Sequence, residues 1–182
     1  MLLDLQEYKD YAKITSVEMD TQLTTLADEA EAIIQGHLGR TLDETSYTDY
    51  YDGTNSDYLI LDNYPIQSVD AISVYEEGVY QAIDTSEYHL MTFNHKIVLD
   101  GYIFLEGVGN YKVEYTAGFE TLPKDIRLAL KKLFVILLNE SPLKNNTLGM
   151  ASFVKQNEKI YIDTNAEKKI LESISKYKVY NV

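Results

Sequence analysis

The residue types that most often carry chemistry are sparse here or wrongly spaced for it. Cysteine is absent, which removes thiol nucleophiles, disulfides and thiolate metal sites. The three histidines, His37, His89 and His95, fall in different expected elements and at no metal-ligand spacing. Asp49, Asp52, Asn55 and Asp57 crowd around Gly53 in the manner of a calcium loop. Their spacing misses the D-x-[DN]-x-[DN]-G pattern, however, and no glutamate closes the loop, so turn chemistry accounts for them better. Gly107-Val108-Gly109 precedes a strand instead of opening a helix, so it reads as a bend and not as a phosphate loop. Carboxylates are so numerous that no pair is singled out for acid–base work. Sixteen tyrosines without a tryptophan, in acidic strands lacking arginine, stiffen a sheet and supply interface anchors. The expectation is a protein that is not an enzyme, with no catalytic, cofactor-binding or metal-binding residue.

Charge is distributed unevenly. Residues 1–120 hold 23 Asp and Glu against 5 Lys and Arg, a net of −18, while residues 121–182 hold 6 against 11, a net of +5. An acidic body of this kind argues against general DNA binding, which needs a dominant positive field, and it allows complementary packing between copies. The longest apolar run, Leu133 to Leu138, is far short of a membrane span, and Met1-Leu2-Leu3-Asp4 does not open as a secretory signal. These features lead to the expectation of a soluble product, cytosolic at synthesis, with no membrane partner.

The elements that would carry these residues read as α+β. A short helix follows Asp4, and the capping-box pattern Thr15-Ser16-Val17-Glu18 predicts the start of a long helix. Leu23, Leu26, Ala27, Ala30, Ile33, Ile34 and Leu38 lie on one stripe of that helix, and Gly39 stops it. From Ser46 an antiparallel β region begins. Its expected strands are 47–51, 58–61, 66–75, 88–93, 96–99, 102–105 and 111–116, with hairpins at Asn94-His95 and Asp100-Gly101. Helix returns after Pro123 with Ile126, Ala129, Leu130, Leu133 and Leu137 as its stripe, and it ends at Ser141-Pro142. Phe134, Val135, Ile136 and Leu138 spread apolar surface round that helix, so Ile126, Leu130, Leu133, Phe134 and Leu137 are expected in the core or against a neighbouring subunit. Asn145 to Gly149 reads as a loop, and Ala151 to Ile162 as a short hairpin or extended arm. Thr164-Asn165-Ala166-Glu167 repeats the capping-box signature before a final short helix.

The expected organisation is a small helical core, made of the N-terminal helix pair (residues 1–45) and the helix after Pro123 (121–142). An inserted β region (46–120) and a C-terminal arm (143–182) complete it. In the arm, Lys168, Lys169, Ile170, Leu171, Ile174, Tyr177 and Tyr180 mix cations with apolar anchors and suit a partner interface, although the same residues would equally serve a helix packed on its own subunit.

The order of segments resembles the head-to-tail connector (adaptor) proteins of tailed bacteriophages. The likeness runs from Leu5-Gln6-Glu7-Tyr8 through Ala30-Glu31-Ala32-Ile33-Ile34 to Leu38-Gly39-Arg40. It continues through Tyr50-Tyr51-Asp52-Gly53, Leu59-Ile60-Leu61 and Tyr64-Pro65-Ile66-Gln67-Ser68-Val69. It is strongest over Val113-Glu114-Tyr115-Thr116-Ala117-Gly118-Phe119 followed by Leu122-Pro123 and Ile126-Arg127-Leu128-Ala129-Leu130. The helix after Pro123 departs from the pattern by ending in Asn139-Glu140-Ser141-Pro142 without an arginine. The resemblance implies a virion protein of the head–tail junction, assembled in the host cytoplasm. It would be one copy of a twelve-membered ring beneath the portal protein, extending the DNA channel without specific DNA contacts and offering a platform to the next neck or tail-completion protein. Two other readings remain: a different neck or tail-completion protein, and a hydrolase or carbohydrate-binding β domain.

Overall fold

The structure is a computed structural model that describes residues 1–84, 86, 88–91, 95–99, 101–141, 143 and 165–178. The chain divides into two compact units, Met1–Thr41 with Thr121–Val182, and Leu42–Glu120.

The first unit is helical. Asp4 caps α1 (Leu5–Ala12) by accepting a hydrogen bond from the Gln6 amide at 3.0 Å. Lys13, at φ 56°, closes that helix, and the Ile14 amide reaches back to the Lys9 carbonyl at 2.8 Å. The long helix α2 (Asp20–Leu38) starts four residues later than the Thr15 capping box predicts, with Met19 as an N-cap that makes no side-chain bond. Tertiary contacts overrule the local signal here. Ile14 is buried, and the buried Lys9 ammonium holds Asp20 at 2.6 Å, so residues 15–19 serve to turn the chain. Leu23, Ala27, Ala30, Ile34 and Leu38 form the buried stripe, Leu26 and Ile33 flank it half-buried, and Gly39 ends the helix at φ 69°.

Pro123 caps α3 (Lys124–Glu140), and Ser141 closes it. Ile126, Ala129, Leu130, Leu133, Phe134 and Leu138 are buried, with the Phe134 ring 5.0 Å from that of Tyr8. Leu137 is half-buried and Leu138 takes the inward position instead. At 3.6 residues per turn the inward direction drifts from Leu130 and Leu133 toward Phe134 and Leu138 along the helix. α1, α2 and α4 (Ala166–Ser173) all pack on α3, so much of its apolar circumference is covered within one chain. A 3-10 turn, Ser175–Tyr177, follows α4. Asn165 is the N-cap of α4, whereas Thr164, Asn145 to Gly149 and Ala151 to Ile162 lie outside the described residues.

The second unit is built from antiparallel strands: β1 (Thr45–Gly53), β2 (Tyr58–Ile60), β3 (Ile66–Glu76), β4 (Val79–Ala82), β5 (Tyr88–Met91), β6 (Lys96–Leu99) and β7 (Gly107–Ala117). They form a four-stranded sheet in the order β1-β7-β3-β4 and a three-stranded sheet in the order β2-β6-β5. Tyr111, Val113, Tyr115 and Ala117 alternate inward along β7 and meet Leu59, Leu61, Ile66, Ile72, Ile97 and Phe104. The mixed α+β fold expected from the sequence is therefore the one observed.

Two local expectations fail, and one strand was not expected. Tyr102–Leu105 is not a ladder strand: only Phe104 bridges, to Ser56, and the Leu105 amide donates to the Tyr111 hydroxyl at 2.9 Å. Gly107-Val108-Gly109 begins β7 and is not a separate bend. β4 had no clear alternation to announce it. It pairs with β3 through a two-residue turn, Glu77-Gly78, in which both residues have positive φ (49° and 87°).

Candidate assembly surfaces

In the helical unit, one carboxylate oxygen of Glu7 accepts from the Arg127 guanidinium at 2.5 Å and from the Lys131 ammonium at 2.9 Å. Arg127 and Lys131 are four apart on α3, so the helix presents both cations to the same point on α1. The bond from Lys131, then that from Arg127, holds the Glu7 carboxyl below the usual glutamate range against the opposing effect of burial. Beside this cluster Lys124, Leu128 and Lys132 are exposed, and a shallow cleft is lined by Tyr11, Lys124, Arg127, Leu128 and Lys131.

The arm residues divide by what they touch. Ile174 is fully buried, Ile170 and Leu171 are half-buried, and Lys168 and Lys169 are exposed. Tyr177 donates its hydroxyl to Asp125 at 3.0 Å, Lys176 pairs with the same carboxylate at 2.7 Å, and His37 Nε2 meets the Ser175 hydroxyl at 3.2 Å. Burial pushes the Asp125 carboxyl up, but Lys176 and Tyr177 together outweigh it and hold it below the usual aspartate range. The described part of the arm is thus seated on its own chain, with Lys168 and Lys169 outward, and Ile174 is not available to a partner. Tyr180 lies outside the described residues. Ile126, Leu130, Leu133 and Phe134 of α3 are fully buried, and Leu137 is partly accessible.

The β unit holds 15 Asp and Glu against 2 Lys and Arg, a net of −13. The helical unit holds 14 against 14 and is neutral, so the protein's whole net charge of −13 resides in the β unit. Inside that unit Tyr115 donates to Asp49 at 2.8 Å, lies 3.1 Å from the Tyr51 hydroxyl and accepts from Asn63 at 3.1 Å. Burial, with Asp49 adding to it, pushes the Tyr115 phenol up to about 12, and burial raises Tyr51 as well. On the other face the rings of Tyr50, Tyr80 and Tyr75 follow one another at 5.5 and 5.0 Å, with Tyr50 and Tyr75 exposed. These tyrosines stiffen the sheet and leave flat aromatic area at the surface.

The aspartates near Gly53 serve the turns. Asp52 accepts from the Gly109 amide at 2.5 Å, and Asn55, at φ 57°, accepts from the Glu106 amide at 3.1 Å. Among the described residues no group of three or more His, Asp or Glu is placed to hold a metal ion, and no helix is long and apolar enough to cross a membrane. His95 sits 5.1 Å from the Tyr64 ring, and burial, then the nearby Lys96, lowers its pKa. His89 lies on β5.

Sequence reasoning missed Glu31. It is buried in the apolar stripe of α2 and accepts from the Leu2 amide at 2.8 Å and the Tyr8 hydroxyl at 3.0 Å. An acidic residue interrupting the run Ala27, Ala30, Ile34 was the available signal, because a buried carboxylate must be hydrogen-bonded. The Glu7, Arg127 and Lys131 cluster was also missed, and only the i, i+4 spacing on α3 hinted at it.

The family model for the head completion protein matches residues 1–173, a span that takes in both units. Among solved structures the chain is similar to one from the neck of an empty gene transfer agent (GTA) particle computed with C6 symmetry, at 17% identity and a TM-score of 0.64. It is likewise similar to one from the neck of a native GTA particle computed with C12 symmetry, at 17% identity and a TM-score of 0.62. A chain from the virion of the native particle aligns at 16% identity and a TM-score of 0.61. Each of the three alignments covers 100% of this chain and 91% of the other. No curated protein matches. The resemblance to phage connector proteins that the segment order carries is borne out, and the chain belongs to the head completion protein family.

Proposed function

We propose that this protein is a structural subunit of the virion neck, a head-to-tail adaptor that docks beneath the portal protein as one of twelve copies in a ring. The ring extends the DNA channel and presents a platform to the next neck or tail-completion protein. The observation that carries this reading is the family match running across both units, from the first residue to α4. The fold shared with chains from particle necks of sixfold and twelvefold symmetry supports it. Membership of a head completion family agrees with a non-enzymatic role.

The charge division suits that place. A ring of identical heterologous contacts needs two unlike surfaces on one chain, and a neutral helical unit with a −13 β unit supplies them. Acidic groups lining a channel would let DNA slide past, since they offer phosphates no counter-charge to hold them. Lys168 and Lys169 of the arm are exposed and would face an acidic rim on the portal.

The test is a particle produced without this chain. The expected result is DNA-filled heads that lack tails, with purified protein added back restoring tail attachment and a ring of density directly under the portal. Density at the tail tip, or heads that join tails normally without the protein, would overturn the proposal.

A further inference from the structure

Lys124, Leu128 and Lys132 are exposed and spaced by four along α3, so they form one ridge. Arg127 and Lys131 lie beside that ridge and share the single carboxylate of Glu7, which leaves the face with surplus positive charge. Leu128 is 44% exposed and Tyr11, from α1, is 41% exposed; both line the same cleft. A lone exposed leucine needs no explanation. An apolar centre rimmed by charge of one sign has the anatomy of an interface.

The complement occurs on the same chain. The β3–β4 hairpin turns at Glu77-Gly78, and around the turn Tyr75 and Val79 are 51% and 56% exposed, with Glu76 and Glu77 exposed beside them. The pairing of β3 with β7 ends at Val74 opposite Tyr111, so Tyr75 to Val79 extend past that ladder. The tip is nonetheless held in shape. Tyr75 pairs with Tyr80 across the hairpin, and Tyr80 donates to the Gly109 carbonyl at 2.7 Å. A preformed tip loses little conformational entropy on docking.

We propose that the β3–β4 hairpin tip of one copy docks on the α3 ridge of the next copy in the ring. Tyr75 and Val79 cover Leu128 and Tyr11, while Glu76 and Glu77 face Lys124, Lys131 and Lys132. This rests on the ring reading above and names the contact that closes the ring. Charge complementarity selects a second copy as the occupant. Every copy brings an acidic hairpin from a −13 unit to meet the cations of the ridge.

Charge exchange on exposed positions tests this. Glu76→Lys with Glu77→Lys, and separately Lys124→Glu with Lys132→Glu, should each cut the fraction of heads carrying a neck ring at least tenfold with the melting temperature unchanged. The four substitutions together should restore rings. Rings at normal frequency with either pair alone, or no recovery with all four in a folded protein, would overturn the contact. Altered DNA retention in the Lys124 and Lys132 variant, with rings intact, would assign the ridge to DNA and also overturn it. If heads made with the unaltered chain show no ring, the ring reading itself fails, which separates the two failures.

Discussion

The Tyr177 hydroxyl meets both carboxylate oxygens of Asp125, at 3.0 and 3.1 Å, and so ties the end of the described arm to the first turn of α3. With Ile174 fully buried three residues earlier, this makes the arm part of the helical unit's fold. Tyr177→Phe removes the donor and should cost about 1 kcal/mol, the usual net value of one hydrogen bond. Truncation after Asp163 should lower the melting temperature by several degrees more, because burial of Ile174 and the rest of the arm's packing is lost as well. An unchanged melting temperature in the truncated protein, measured by calorimetry, would show that the arm is dispensable to the fold.

Leu133 is fully buried on α3 between Leu130 and Phe134. Leu133→Ala should destabilise by about 2–5 kcal/mol through lost burial and the cavity left behind. Leu133→Asp adds an unpaired buried charge and should prevent folding. Denaturant titration of the alanine variant gives the magnitude. A variant as stable as the parent would contradict the packing.

Acid should loosen the helical unit through Glu7 and Asp125. Both carboxyls are held below their ordinary values in the folded chain, Glu7 mainly by Lys131 and Arg127, and Asp125 by Lys176 and Tyr177 working against burial. A depressed folded pKa means that their contribution is present at neutral pH and is lost as pH falls through and below the ordinary carboxylate range. Glu7→Gln should therefore flatten the acid limb of the stability curve, as followed by circular dichroism, and have its largest effect near neutrality. An identical acid limb in the variant would remove Glu7 from this role.

Alkali acts on the β unit with the opposite sign. The Tyr115 phenol is raised to about 12 from an ordinary value of 10.0, so the unfolded chain loses its proton first and stability falls as pH rises between those values. Ultraviolet titration should resolve a late class of tyrosines that includes Tyr115, Tyr51 and Tyr8, ionising only as the fold opens. Tyr115→Phe should reduce the size of that class and, by stripping Asp49 and Asn63 of a partner, destabilise by about 1–3 kcal/mol. One uniform titration of all tyrosines would refute the burial.

Gly118 and Gly78 make a paired test of backbone constraint. A Cβ at Gly118 would sit 2.1 Å from the Asp43 carbonyl oxygen, whereas one at Gly78 would meet nothing within 4 Å, although both glycines have positive φ. Gly118→Ala should therefore destabilise well beyond the roughly 1 kcal/mol of left-handed strain expected for Gly78→Ala. Equal melting temperatures for the two variants would contradict the close approach of Gly118 to Asp43.

Much of this architecture was legible in the sequence, because it rests on short-range periodicity. The stripe of α2, the glycine stop at Gly39, the proline start of α3 and the strict alternation of Tyr111, Val113 and Tyr115 are each local patterns with a single structural solution. The excess of acid over base in the first 120 residues was legible as well, and so was the segment order that resembles phage connectors. Where long-range contacts compete with local ones, the local signal lost. The Thr15 capping box was overruled by Ile14 burial and by the Lys9 to Asp20 pair, and Leu137 yielded the inward position to Leu138 as the helix turned. Residues 102–105 were denied a ladder by the bond from the Leu105 amide to Tyr111. The exposed ridge on α3, the Glu7 cluster and the seating of the arm depend on residues far apart in the chain meeting in space. Only the tertiary structure decides that, because no periodicity along the chain encodes which helix face another helix will cover.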